Sequence, residues 1–196
     1  MASIQLNNEL SVDLSKQFLL AMPGMDMGEW AHSVVFLCEH NTEGALGLIV
    51  NRPSDITVAD MLERLGLQVE PGVQAVAAQA VYHGGPVHTD RGFVLHTAGN
   101  KTYASTIDLG DFQLTTSRDV LEDIAKGEGP EQFLVTLGYA GWGTGQLESE
   151  LAQNAWLNVE AAPSIILDLP HEGRYEAALG ALGIHSSMLA GVAGHA

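Results

Sequence analysis

An α+β domain with a largely antiparallel or mixed sheet is what this chain predicts, and three observations predict it. Apolar, β-rich runs come in adjacent pairs instead of alternating strictly with helices, which argues against a doubly wound parallel sheet. The 22 glycines are spread along the length, mostly between short apolar runs, as brief elements joined by tight turns require. A length of 196 residues fits one domain, and no low-complexity linker, internal repeat or charge block divides it. The expectation is a single domain over 1–196, its short paired strands packed by about four helices.

Each element follows from its residues. FLLAMP (18–23) reads as a first strand, stopped by Pro23 and Gly24. SVVFLCEHN (33–41) and GALGLIVNR (44–52) form a hairpin around Thr42 and Glu43, and the first arm, apolar on both faces up to Leu37, is expected as a central strand. TVADMLERLG (57–66) predicts a helix: Thr57 caps it with Asp60 three residues on, Val58, Met61, Leu62 and Leu65 form the apolar stripe, and Gly66 ends it. AVYHGGP (80–86) and RGFVLH (91–96) read as a strand pair around a turn, DFQLTT (111–116) as a short strand and SRDVLEDIAKG (117–127) as a capped helix. FLVTLGYAGW (133–142) is an apolar strand running into a glycine-rich turn, followed by a helix over about 145–155. WLNVE (156–160) and SIILDL (164–169) read as strands, and RYEAALGALG (174–183) as a last main helix.

Charge narrows the function classes. Eight Lys+Arg stand against 24 Asp+Glu, a formal net charge of −16. Gripping phosphates takes clustered cations, so direct nucleic-acid binding and docking on anionic lipid are not expected. The single cysteine, Cys38, cannot close an internal disulfide, the N-terminus lacks a secretory pattern and no apolar run reaches membrane-spanning length. A cytoplasmic location is the expectation.

Three clusters can carry chemistry. In Cys38-Glu39-His40-Asn41, a regular strand puts Cys38 and His40 on one face, roughly 7 Å apart at Cα. A neighbouring imidazolium lowers a thiol pKa, so the pair is a candidate nucleophile and base; the alternative is core packing, as for most free cysteines. In GYAGWGTGQLESE (138–150), the four glycines Gly138, Gly141, Gly143 and Gly145 can aim backbone N–H groups at an anion, or simply make a tight strand-to-helix turn with Tyr139 and Trp142 packed inside. Gln146, Glu150 and Asn154 then form a polar stripe at helical spacing. Around Gly84, Gly85 and Pro86 stand His83, His88, Asp90, Arg91 and His96, without the spacing of a metal motif, so no metal is expected. Arg91, Arg52 and Arg118 can each fork onto a small anion or pair with one of the many carboxylates.

The ordered run LLAMP, SVVFLCEHN, GALGLIVNRP, VYHGGPV, RGFVLH, TTSRDVLE, LVTLGYAGWGTGQLESEL and the C-terminal AGHA resembles the bacterial YqgE/AlgH family over almost the whole chain. The resemblance implies a single-domain cytoplasmic α+β protein; the AlgH name carries a proposed role as a transcriptional regulator. It brings no reaction, no cofactor and no catalytic residue. With so acidic a chain, a regulatory effect is expected to be indirect. The expected function is therefore small-molecule binding or regulation, with a small molecule or a protein as partner and a redox response through Cys38 as one form of it. The ligand-binding candidates are Asn41, Arg52, Gly84, Gly85, Arg91, Gly141, Gly143 and Gln146. The alternative is an enzyme with Cys38 as nucleophile and His40 as base.

Overall fold

The structure is a computed structural model that describes residues 12–23 and 30–190; Gly24 and the C-terminal Gly194-His195-Ala196 lie outside the described residues. Within them run β1 (Gln17–Ala21), β2 (Val34–Asn41), β3 (Gly44–Ile49), β4 (Pro53–Thr57), α1 (Val58–Arg64), α2 (Gln74–Ala77), β5 (Ala80–His83), β6 (Val87–His96) and β7 (Thr106–Asp108). There follow β8 (Gln113–Thr115), α3 (Arg118–Lys126), β9 (Phe133–Gly143), α4 (Gln146–Ala152), β10 (Trp156–Glu160), α5 (Pro163–Leu167), α6 (His171–Ala181) and α7 (Ser186–Ala190). The ten strands form one sheet in the order β10-β1-β2-β3-β9-β6-β8-β7, with β4 paired to β5 and β5 paired to β9. Every pairing is antiparallel except β5 with β9, so the sheet is mixed.

Alternation along β2 sorts the core. Val34, Phe36 and Cys38 join one apolar cluster with Phe18, Phe93 and Phe112, which α5 and α6 close with Ile166, Tyr175 and Leu179. Val35 and Leu37 face the other side, into a cluster with Trp142, Leu147 of α4 and Trp156. A third cluster joins β6 and β9 to Val58 and Leu62 of α1 and to Val120 and Ile124 of α3. As its apolar run predicts, β2 is buried on both faces through Leu37.

Strand β9 changes partner midway along one edge. Its first half pairs with β5 at Tyr82–Thr136 and His83–Leu137, and its second half with β3 from Gly47–Ala140 to Gly44–Gly143. Gly84 joins the two: its N–H donates to the Leu137 carbonyl and its own carbonyl accepts from the Ile49 N–H, both at 2.8 Å. Backbones meet so closely here that a Cβ on Gly84 would lie 2.2 Å from the Gly138 carbonyl oxygen, and one on Gly85 would lie 2.2 Å from the Tyr139 carbonyl carbon.

The helices over 57–66, 117–127, 145–155 and 174–183 are present in slightly shifted form as α1, α3, α4 and α6. Thr57 and Asp60 make the reciprocal cap expected of them. The run 164–169 is a correction. It folds as the short helix α5, with Pro163 at the helix start and Ile165 and Ile166 both buried on the sheet. Proline in the first helical turn loses no hydrogen bond and has φ already set, so it marks a helix start that the β-branched composition masked. The short α2 and α7 and strands β4 and β7 carry too few residues to show a period.

Candidate functional site

The residues around the β2–β3 turn build a cleft. Asn41 organises the hairpin: its side-chain oxygen accepts from the Glu43 N–H at 2.8 Å and its amide donates to Glu39 Oε1 at 2.7 Å. Such an Asx turn fixes both the chain reversal and the direction of the Glu39 carboxylate. Across from it, Gly44 (φ +145°) lies so close to β9 that a Cβ would stand 2.2 Å from the Trp142 carbonyl oxygen. Thr144 Oγ1 ties the turn down by donating to the Glu43 carbonyl at 3.1 Å. Between hairpin, β9 and the start of β6 opens a cleft of about 410 Å³, lined among others by Glu39, Asn41, Glu43, Leu46, Val87, Tyr139 and Gly141. The Tyr139 ring is held between His88 and Phe93, each centroid 5.9 Å away.

Of the candidates, Asn41 and Gly141 line this cleft. Gly143 and Gln146 instead satisfy each other: the Gly143 N–H donates to Gln146 Oε1 at 3.0 Å, which consumes the backbone donor an anion would need. Gln146 also donates to Glu150 Oε1 at 3.0 Å, and Glu150 Oε2 accepts the indole N–H groups of Trp142 (2.9 Å) and Trp156 (2.8 Å). Glu150 of α4 thus anchors two core tryptophans, while Asn154, at φ +56°, lies beyond the end of the helix and does not continue the polar stripe. Gly84 and Gly85 are the backbone crossing between β5 and β9. Arg52 donates to the Ala31 carbonyl at 2.8 Å, Arg118 pairs with Glu122 at 3.0 Å, and Arg91 lies 5.3 Å over the Phe93 ring. These arginines do not converge.

Cys38 and His40 are corrected in geometry. The ladder slips between Leu37 and Glu39, opposing Cys38 and Glu39 to Leu46 alone. A bulge inserts one residue and inverts the alternation beyond it. Cys38 therefore points into the Phe36 cluster, its thiol donating weakly to the Phe36 carbonyl at 3.7 Å, and burial pushes its pKa up, with the Glu39 charge adding to the effect. His40 turns to the opposite face. Its Nδ1 accepts from the Leu14 N–H at 3.1 Å, leaving Nε2 to donate to Glu148 Oε1 at 2.9 Å. The acidic pair Glu39 and Glu43 was not among the candidates, because a turn carrying carboxylates reads as a solvated loop until β9 is folded against it.

The histidines likewise separate. His96 is buried, with Nδ1 donating to the Thr97 carbonyl at 2.8 Å and Nε2 accepting from Thr115 Oγ1 at 2.9 Å. Among the described residues no three His, Cys, Asp or Glu side chains gather as a metal site, and no helix is long and apolar enough to cross a membrane.

Comparisons with known proteins agree with this architecture. The model of the AlgH-like family matches residues 18–187. A UPF0301 protein of Bordetella pertussis is 57% identical over 190 residues, 97% of this chain and 93% of its own. Another, of Paraburkholderia phymatum, is 53% identical over 186 residues, 94% of this chain and 96% of its own. The solution structure of the AlgH protein from Pseudomonas aeruginosa superposes with a TM-score of 0.77 at 47% identity, covering 97% of this chain and all of that one. An X-ray structure of a Corynebacterium diphtheriae protein, 20% identical with a TM-score of 0.66 over 84% of each chain, shares the fold. The chain belongs to the AlgH-like family.

Proposed function

We propose that this chain is a binding protein whose ligand seat is the cleft between the β2–β3 hairpin and β9, and that the ligand presents an ammonium or guanidinium group there. The observation that carries this reading is the cleft's lining: Glu39 and Glu43 line it together with Leu46 and Tyr139, and among the described residues no Lys or Arg does. Glu39 at the end of β2 and Glu43 on the turn both carry a carboxylate, and a cation in the cleft answers both while its apolar stem rests on the wall. The net charge of −16 draws cations toward the protein as a whole. A regulatory role then works by capturing a small organic cation or a basic side chain of a partner protein, in the cytoplasm and without contact to nucleic acid.

An enzyme or redox switch built on Cys38 draws no support from the geometry, since the thiol is buried, its pKa raised, and the neighbouring imidazole on the opposite face. The test of the binding reading is amide chemical-shift mapping with spermidine and, separately, with an arginine-bearing tripeptide. Saturable shifts confined to 39–46 and 139–142 support it, and the tighter of the two probes distinguishes a small-molecule ligand from a protein segment. Shifts scattered over the acidic surface, or none, contradict it.

A further inference from the structure

Outside the cleft, one cation occupies an unusual position. Arg174 of α6 is only 6% exposed, yet among the described residues no carboxylate forms an ion pair with it, in a chain with 24 acidic residues. Its Nε–H donates to the Leu169 carbonyl at 3.1 Å, an Nη1–H donates to the Val50 carbonyl, and its guanidinium lies 5.0 Å over the Tyr82 ring. Backbone carbonyls and a π face offset part of the cost of burying a full charge, but they do not neutralise it. A guanidinium has five N–H donors in a planar fork; those two bonds and a side-chain hydrogen bond to Tyr82 leave two. Arg174 forms part of the wall of a groove of about 310 Å³, together with Gln79, Tyr82, Gln132 and Ile166. Glu131 also lines this groove, is exposed, and forms no ion pair with Arg174.

We infer that this groove between β5, β9 and the α5–α6 corner is a second binding site, one that takes a small, singly charged carboxylate on the remaining N–H edge of Arg174. A single buried guanidinium matches one carboxylate in charge and in its two-pronged geometry. A dianion such as phosphate would leave one charge uncompensated beside Glu131. The groove has room for a small organic acid; the Gln132 amide nitrogen already donates to Asp168 Oδ1 at 2.7 Å, which leaves its carbonyl oxygen, with Gln79, for a ligand hydroxyl.

The experiment follows the Arg174 Nε–H resonance of the ¹⁵N-labelled protein while lactate is added, with propane-1,2-diol as the uncharged analogue and inorganic phosphate as the dianion. The expected result is a saturable shift of Arg174 Nε–H and of the Tyr82 amide with lactate, none with the diol, and weaker binding of phosphate. Arg174→Lys, which loses the fork, is expected to weaken lactate binding about tenfold. If Arg174→Lys fails to fold, Glu131→Gln at the rim serves in its place: removing the nearby negative charge is expected to tighten lactate binding about two- to threefold. Overturning results are no saturable shift at Arg174 up to roughly 50 mM lactate, an equal response to the diol, or lactate affinity unchanged in Arg174→Lys or in Glu131→Gln.

Discussion

Gly84 and Gly138 meet backbone to backbone, with no room for a side chain at Gly84: a Cβ there would lie 2.2 Å from the Gly138 carbonyl oxygen, and Gly138 itself sits at φ +74°. The contact falls where β9 exchanges β5 for β3, so it holds the two halves of the sheet in register and sets the position of Tyr139 at the cleft. Gly84→Ala is therefore expected to destabilise the protein by about 3 kcal/mol or more, because the clash is with main chain that cannot swing aside. Urea denaturation followed by far-ultraviolet circular dichroism checks this; a midpoint within error of the parent would show that β9 can shift to admit a methyl group.

Cys38 gives a second expectation. With the thiol in the Phe36 cluster and its pKa raised by burial and by Glu39, the thiolate is suppressed at neutral pH. Iodoacetamide is expected to leave Cys38 unmodified in the native protein and to label it once urea unfolds the chain, as read by intact mass. Rapid labelling under native conditions, at a rate titrating near or below that of an ordinary thiol, would contradict the packing described.

What the sequence made legible, and what it hid, follows from the range of the interactions involved. The both-face burial of β2 and the Thr57–Asp60 cap are written in neighbouring residues, and both formed as read. Cys38 and His40 failed as a pair because one inserted residue inverts a period of two, and the insertion is visible only in the pairing of Glu39 with Leu46 on the next strand. Gly84 and Gly85 stand out in the sequence as candidates for binding, but the backbone that demands glycine there lies more than fifty residues away at Gly138 and Tyr139. The stripe of Gln146 and Glu150 was readable as polar. That it anchors Trp142 and Trp156 required the fold of two strands around α4.

His96 carries a pH expectation. Burial pulls its pKa below the ordinary 6.5, opposed in part by the hydrogen bond to the Thr97 carbonyl. The unfolded chain then holds a proton that the folded chain resists, so the neutral ring contributes stability above about pH 6.5 that is lost as pH falls through that value toward the lower folded pKa. Between about pH 7.5 and pH 5.5 the parent is expected to lose more unfolding free energy than His96→Gln does. Parallel losses in the two proteins would mean that His96 protonates as readily in the fold as in the open chain.

Whether Glu39 and Glu43 make the cleft a seat for a cation is decided by calorimetric titration of spermidine into the parent and into Glu39→Gln/Glu43→Gln. Both side chains are exposed, so the double variant is expected to keep the parent's fold and melting temperature. Saturable binding to the parent is expected, weakening about tenfold or more in the double variant and falling with added salt. Equal affinity in the two proteins, or no binding to either by spermidine or by the arginine-bearing tripeptide, would contradict it.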